Sequence, residues 1–281
     1  MLGIKIFDDD SKELLHQIFN LINKENLALE VALYGTNIES FTSFSTEHPL
    51  YVNNKNKSIH FNYLKYCGNN IREEKYLNNF LIEIEQAKKL LINRGVLHYQ
   101  HPNNYEIHLE QWKLPNLTSN LKLIHKIAKE NDFIFHIENT YIYKSHYFLN
   151  DIEHQRLLWD TILNLNLQDH IGLCLDWGHV KAFSNSSLTD WIDYSKFLKS
   201  KGMPIYMHVH DNDSKKDLHD SMKESEEKKH FQTNHPKDKP YLEILKDIQS
   251  FFNEETLLLE YKSKIAEEHY YWTKSKLHEL S

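Results

Sequence analysis

A short stretch near the middle of the chain combines residue types that bind metals. Residues 172–179 read Gly-Leu-Cys-Leu-Asp-Trp-Gly-His, an apolar strand pattern that ends in Asp176, with His179 three residues later. Alternate side chains of a strand face the same way, so Cys174 and Asp176 share the face of Gly172. A carboxylate and an imidazole at one strand end suit a metal site, whereas a capping aspartate and a loop histidine are the structural alternative.

Polar residues lie at or near the ends of most of the apolar strand patterns, including the one at residues 172–176. They are His60, His101, Glu138, Asp176, His208 and Glu260. A carboxylate inside an apolar strand end costs several kcal/mol unless it is paired or bound to a metal. Four converging strand ends offset that cost together when they share a cation. The predicted ligands of a divalent metal are therefore Glu138, Asp176, His208 and Glu260.

The periodicity of the chain indicates how these residues come together. Eight strand patterns alternate with helical patterns, at residues 2–7, 27–34, 58–64, 96–100, 133–138, 172–176, 204–210 and 256–261. Such alternation predicts parallel strands with right-handed crossovers. We therefore predict an α/β fold, a single-domain (β/α)8 TIM barrel over residues 1–281, with its chemistry at the carboxyl ends of the strands.

Two polar regions lack the periodicity of the predicted elements. The first is residues 35–57, which are expected to be irregular. The helical patterns elsewhere predict helices at residues 10–26, 76–94, 117–130, 151–166, 188–201, 241–252 and 265–280. Residues 211–240 form the longest stretch without apolar periodicity and are crowded with charge. A stretch of that length predicts a long polar loop over the mouth of the barrel.

Composition limits the compartment and the partners. The net charge is −7 and no long basic run is present, which disfavours a nucleic-acid partner without removing the option of a local patch. The two cysteines are far apart, and the first residues have no signal-like apolar core. No apolar run approaches the ~20 residues of a membrane helix. We expect a cytoplasmic protein that does not enter membranes.

Four short motifs in order resemble a known family. They are His136-Ile-Glu-Asn-Thr-Tyr141, residues 172–179, Met207-His-Val-His-Asp-Asn-Asp213 and Leu257-Leu-Leu-Glu-Tyr261. The chain resembles the xylose isomerase-like barrels, which include sugar isomerases and epimerases and the endonuclease IV type of AP endonuclease. The resemblance implies that Glu138, Asp176, His208 and Glu260 form the shared metal site. It also implies that Glu138 and Glu260 transfer protons on a sugar-like substrate.

The endonuclease branch has further metal ligands, and similar residue types are present here. His60 begins His-Phe-Asn-Tyr-Leu, similar to that branch's His-x-x-Tyr-Leu, and His101 precedes a proline. Asp217-Leu-His219 resembles the branch's Asp-x-His pair, which His179 would complete as a third site. The resemblance thus implies one to three divalent ions, of Zn, Mn, Mg or Co. The glycine-rich segment that follows Asp-x-His in both branches is absent, so substrate recognition is not implied.

Several candidate residues have a second interpretation. His60 and His101 could instead hydrogen-bond a sugar, and His210 could replace His208 as the strand-seven ligand. Asp217 and His219 lie among charged residues that are typical of a solvated loop. Other polar residues in the strands are not predicted to bind a metal. Glu30 is expected to bind substrate or to pair with Lys5, and His136 is expected to be a core histidine. In a regular strand, the side chain of His98 would point away from the barrel interior.

We therefore predict a divalent-metal-dependent isomerase or epimerase that acts on a sugar or sugar derivative by proton transfer between metal-bound carboxylates. The alternative is a multinuclear zinc phosphodiesterase of the AP endonuclease type. A small sugar-like molecule is the expected partner in the first case and a phosphoester in the second. The number of bound metal ions distinguishes the two predictions.

Overall fold

A computed structural model describes residues 1–35, 38–100, 113–139, 152–184, 186–211, 221, 223–224, 228 and 238–279, without the side chains of His154 and Phe183. Eight parallel strands close into a barrel in chain order. They are β1 (Leu2–Phe7), β2 (Ala28–Ala32), β3 (Lys57–His60), β4 (Arg94–His98), β5 (Ile134–Glu138), β6 (Ile171–Asp176), β7 (Ile205–Val209) and β8 (Thr256–Leu259). The pairing of β1 with β8 closes the barrel and confirms the predicted (β/α)8 fold.

Helices alternate with the strands and surround them. They are α1 (Lys12–Glu25), α2 (Ile38–Glu47), α3 (Pro49–Asn53), α4 (Glu74–Lys89), α5 (Leu114–Asn131), α6 (Ile152–Asn164), α7 (Trp177–Phe183), α8 (Leu188–Ser200), α9 (Tyr241–Phe251) and α10 (Ala266–Glu279). A 3₁₀ turn at Ser263–Ile265 precedes the last helix. Among the described residues, no helix is both long and apolar enough to span a membrane.

Two layers of packing result from the alternation of side chains along each strand. The larger core lies between strands and helices and contains residues such as Leu97, Phe135 and Leu173. A small apolar cluster fills the barrel interior and consists of Val96, Cys174, Tyr206 and Leu258. Because the interior is narrow, it takes few large apolar side chains, and polar residues line it toward the carboxyl ends of the strands.

The region predicted to be irregular contains two helices, so that prediction was wrong in part. Helix α2 buries only Phe41 and Ser45 among its ten residues, and α3 buries only Tyr51. So few buried positions give little apolar periodicity in the sequence. Within the predicted loop 211–240, the described residues are 211, 221, 223–224, 228 and 238–240.

Candidate metal centre

Four buried residues at neighbouring strand ends bring their ligand atoms together. Glu138 ends β5, Asp176 ends β6, His208 lies near the end of β7, and Glu260 directly follows β8. The strand register pairs Asp176 with His208. One ligand atom from each of the four lies within 4.8 Å of those of the other three. The structure thus brings together the four residues that the sequence predicted to share a metal.

His208 lies at the centre of this group. Its Nδ1 is 3.0 Å from Glu260 Oε2, 3.5 Å from Glu138 Oε1 and 3.9 Å from Asp176 Oδ2. The opposite ring nitrogen, Nε2, lies 3.1 Å from Glu30 Oε2. The two nitrogens therefore face different surroundings, one toward three carboxylates of the group and one toward β2.

A second group contains two histidines on the other side of Glu138. His60 Nε2 and His98 Nε2 lie 3.4 Å and 2.9 Å from Glu138 Oε2. All three residues are buried, and their ligand atoms meet the same 4.8 Å criterion. Glu138 belongs to both groups because its two oxygens face opposite ways, Oε1 toward His208 and Oε2 toward the two histidines.

His98 is the residue that the sequence parity placed wrongly. The prediction for strand 96–100 made His101 the inward-facing residue at its end. In the structure, Val96 lies in the interior cluster and Leu97 lies in the outer core. His98, two residues after Val96, therefore faces inward, opposite Glu138 in the register. The size of Leu97 and Tyr99 is the signal that was available, since both belong to the large core between strands and helices.

A third group forms where β6 continues into α7. His210 Nε2 lies 3.0 Å from both carboxylate oxygens of Asp176, and the ligand atoms of Asp176, His179 and His210 also lie within 4.8 Å of one another. The backbone amide of His179 donates to Asp176 Oδ1 at 2.7 Å. Asp176 is thus the N-cap of α7, as in the structural alternative, and also a member of two ligand groups.

Gly178 allows the third group to form. It lies in the first turn of α7, and a Cβ atom at this position would overlap the ring of His210. Glycine is unfavourable inside a helix, by roughly 0.5–1 kcal/mol relative to alanine. Its presence between Trp177 and His179 is explained by the close approach of the imidazole to the helix backbone.

Two residues outside the three groups fix the geometry of the strand ends. Asn139 Oδ1 accepts from the Asp176 backbone amide at 2.6 Å, and Asn139 Nδ2 donates to the Asp176 carbonyl at 3.0 Å. Tyr34, which follows β2, places its hydroxyl 2.6 Å from His60 Nδ1. The side-chain amide thus holds the ends of β5 and β6 together, and the phenol holds the ring of His60.

Charge is concentrated in this part of the barrel. Burial alone would raise the pKa of Glu138, but the His98 charge and the hydrogen bond from His208 hold that pKa well below its usual range. Burial would lower the pKa of His208, whereas Cys174 and Glu260 raise it well above the ordinary histidine value. The raised pKa favours the protonated form of His208 when no metal is bound. A divalent cation would displace that proton when it binds.

The other candidate residues from the sequence lie in several different places. His101, Asp217 and His219 lie outside the described residues. His60, His179 and His210 all lie in buried groups, with His210 beside Asp176 and His179 and with His208 in the four-residue group. Glu30 pairs with Lys5 and with His208, and His136 lies one layer deeper, beside Tyr206. Cys174 meets the same distance criterion with Glu138 and His208, and burial raises the pKa of its thiol.

The donor set fits a first-row divalent metal. Carboxylate oxygens and imidazole nitrogens are the ligands that Zn²⁺, Mn²⁺ and Co²⁺ share, and the described donors are buried and convergent. The sequence comparison gives an independent result, since the xylose isomerase-like TIM barrel model matches residues 18–275. The chain belongs to that family. The match covers most of the chain, including all of the strands from β2 to β8.

Solved structures with similar folds support the assignment of the barrel. The crystal structure of AsfvAP:AG has a TM-score of 0.65 and 16% identity, covering 99% of both chains. The TTHB071 protein from Thermus thermophilus, soaked with ZnCl2, has a TM-score of 0.65 and 16% identity over 100% of this chain and 97% of its own.

A third similar fold is that of 3-keto-D-glucoside 4-epimerase, YcjR, from E. coli, with a TM-score of 0.62 and 13% identity over 98% of both chains. At these identities the likeness concerns the fold. A search of curated protein sequences gave no match.

Proposed function

We propose that this member of the family is a divalent-metal-dependent hydrolase of phosphoesters that holds more than one metal ion. The observation that supports this function is the sharing of two carboxylates among three buried ligand groups. Glu138 belongs to the four-residue group and to the His60–His98 group, and Asp176 belongs to the four-residue group and to the His179–His210 group. A carboxylate placed between two ligand groups is suited to bridging two cations.

The residues would divide the work as follows. His208 and Glu260 would hold one ion together with the two shared carboxylates. His60 and His98 would extend the site toward β3 and β4, and His179 and His210 would extend it toward α7. The ions, when bound, activate water and neutralise the phosphoryl oxygens. The protein itself contributes a buried site with fixed ligands, in which electrostatic interactions are stronger than in water.

A second candidate function is an isomerase or epimerase acting on a sugar or sugar derivative. It is favoured by the meeting of Glu138 and Glu260, which extend from β5 and β8 into one ligand group. Two carboxylates on either side of a substrate can remove and return a proton, with a metal polarising the neighbouring oxygens. Several similar structures carry epimerase names, among them 3-keto-D-glucoside 4-epimerase, a D-tagatose 3-epimerase-like protein and D-psicose 3-epimerase.

Metal content and activity on two substrate classes test the proposal together. We expect more than one Zn, Mn or Co per chain by elemental analysis, and cleavage of bis(p-nitrophenyl) phosphate or of an abasic DNA strand. Glu138→Gln should abolish the binding of more than one ion per chain and the cleavage of both phosphoesters. His136→Gln, at an interior histidine outside the groups, should retain the metal content and the cleavage. One ion per chain with epimerisation of a ketose would support the second candidate. Wild-type protein that binds no divalent ion would contradict both.

A further inference from the structure

A buried charge pair lies directly beneath the four-residue group. Lys5 on β1 and Glu30 on β2 are register partners, and both side chains are almost completely buried, at 3% and 0% exposure. Lys5 Nζ lies 3.5 Å from Glu30 Oε1. A lysine is almost never fully buried unless it is paired, and Glu30 is a partner of Lys5 here. The further contacts of the two residues indicate why the pair lies at this position.

The same lysine reaches one of the proposed metal ligands. Lys5 Nζ donates a hydrogen bond to Glu260 Oε1, across the barrel closure between β1 and β8. The other oxygen of this carboxylate, Oε2, is the one that faces His208 Nδ1. The ammonium group therefore holds one oxygen of Glu260 and turns the second toward the ligand group.

Glu30 makes the corresponding contact to His208. Its Oε2 lies 3.1 Å from Nε2, the ring nitrogen that points away from the other three ligands. A carboxylate at that distance accepts a hydrogen bond from Nε2–H, so the unprotonated lone pair is on Nδ1 when a metal is bound. A histidine that ligates a metal commonly donates its other N–H to such a partner, which fixes the tautomer and the ring orientation.

We propose that Lys5 and Glu30 are positioning residues of the metal centre, with Glu30 orienting His208 and Lys5 orienting both Glu30 and Glu260. This inference rests on the proposed metal-dependent function and holds for either reaction. In this role the two residues act through the ligands above them. Two of the four central ligands thus depend on a single buried ammonium group.

Co²⁺ binding to the metal-free protein tests the proposal without an activity assay. We expect Glu30→Gln and Lys5→Met each to weaken Co²⁺ affinity about 10- to 100-fold, as measured by competition with a chelator and by the visible absorption of the bound ion. The effects should be less than additive in the double variant, because Lys5 acts partly through Glu30. Ser58→Ala removes a neutral interior hydrogen bond to Tyr206 and is the matched control, with unchanged affinity.

The outcomes separate the two levels of the hypothesis. Wild-type protein that binds no Co²⁺ would overturn the metal-dependent function and the positioning role together. Wild-type binding with unchanged affinity in Glu30→Gln and Lys5→Met would overturn the positioning role alone. Tighter binding in Lys5→Met would show that the lysine only repels the cation, which also contradicts positioning.

Nitrogen-15 spectra of the Zn²⁺-loaded wild-type protein give a second readout that does not require a folded variant. The proposal expects His208 to carry its proton on Nε2 and the metal on Nδ1. Metal on Nε2 would instead place the ion between Glu30, His60 and His208, which also meet the ligand criterion, and would overturn the assignment.

Discussion

His98 Nε2 lies 2.9 Å from Glu138 Oε2, while the other oxygen of that carboxylate faces His208 Nδ1 at 3.5 Å. One glutamate therefore links the His60–His98 group to the four-residue group. On the proposed function, Glu138 would serve an ion in each of the two groups, and His60 and His98 would be the ligands on its far side.

Removal of His98 should affect only part of the metal content. We expect His98→Gln to lower the number of bound ions by about one per chain, because His60 and Glu138 alone leave the outer group incomplete. The central group keeps all of its ligands, so one ion should remain. Elemental analysis after exhaustive dialysis measures this change, with His136→Gln as the matched interior control. Equal metal content in wild type and His98→Gln would show that the second group holds no ion.

Removal of the Tyr34 hydroxyl should weaken the same outer group. The phenol lies 2.6 Å from His60 Nδ1 and fixes the ring so that Nε2 faces Glu138. We expect Tyr34→Phe to weaken the affinity of the outer ion about 10-fold, because a partner of a ligand commonly has an effect of that size. Chelator competition measures it. Tyr206→Phe, which removes an interior phenol bonded to Ser58, should leave the affinity unchanged, and an equal loss in both variants would contradict the specific role of Tyr34.

Asn139 should contribute measurably to the stability of the fold. Its side-chain amide makes both hydrogen bonds to the Asp176 backbone and is buried, at 4% exposure. Asn139→Ala leaves the buried backbone N–H and C=O of Asp176 without these partners, which should lower the free energy of unfolding by about 1–3 kcal/mol for each group. Urea denaturation of the metal-free protein measures the loss. Asn131→Ala removes a hydrogen bond from the side-chain amide to the Ile127 carbonyl and an exposed one from Lys88 to Asn131 Oδ1. This change should cost about 1 kcal/mol, and a similar loss at both sites would contradict the role of Asn139.

Glu83 should make stability depend on pH. Burial raises the pKa of this α4 carboxyl group, against the hydrogen bonds from the Asn62 amide and the Tyr66 hydroxyl. The folded state therefore binds this proton more tightly than the unfolded state, and the contribution of Glu83 to stability falls as pH rises from the ordinary glutamate value of about 4.3 through the raised pKa.

The glutamine variant reports this dependence directly. We expect Glu83→Gln to gain stability relative to wild type as pH rises from about 4 to about 7, because glutamine has no proton to lose. Urea unfolding at a series of pH values measures the difference. Glu130→Gln, an exposed carboxylate on α5, controls for the general loss of one negative charge. Parallel stability curves for wild type and Glu83→Gln would contradict the prediction.

The order of the strands and the convergence of four polar residues at the strand ends were predictable from the sequence. Alternating strand and helix patterns indicated the closed barrel, and the polar ends of β5, β6, β7 and β8 indicated Glu138, Asp176, His208 and Glu260. These features depend on local periodicity and on the cost of a buried charge, both of which are visible in a single sequence.

The parts that were missed depend on relationships across the barrel. His98 was misplaced because parity was counted from an assumed strand end and not from the size of Leu97 and Tyr99. The contact of Glu30 with His208 joins residues that are 178 positions apart, so only the closed barrel brings them together. Helices α2 and α3 were missed because they bury few side chains, and periodicity reports only buried positions.

Gly178 and His210 are constrained as a pair. Any larger residue at position 178 would force the imidazole away from Asp176, and a smaller residue at position 210 would leave a gap against α7. The two positions are therefore expected to change together in the descent of this chain. A lineage that replaces the glycine would have to move this imidazole, and the geometry of the third ligand group would change with it.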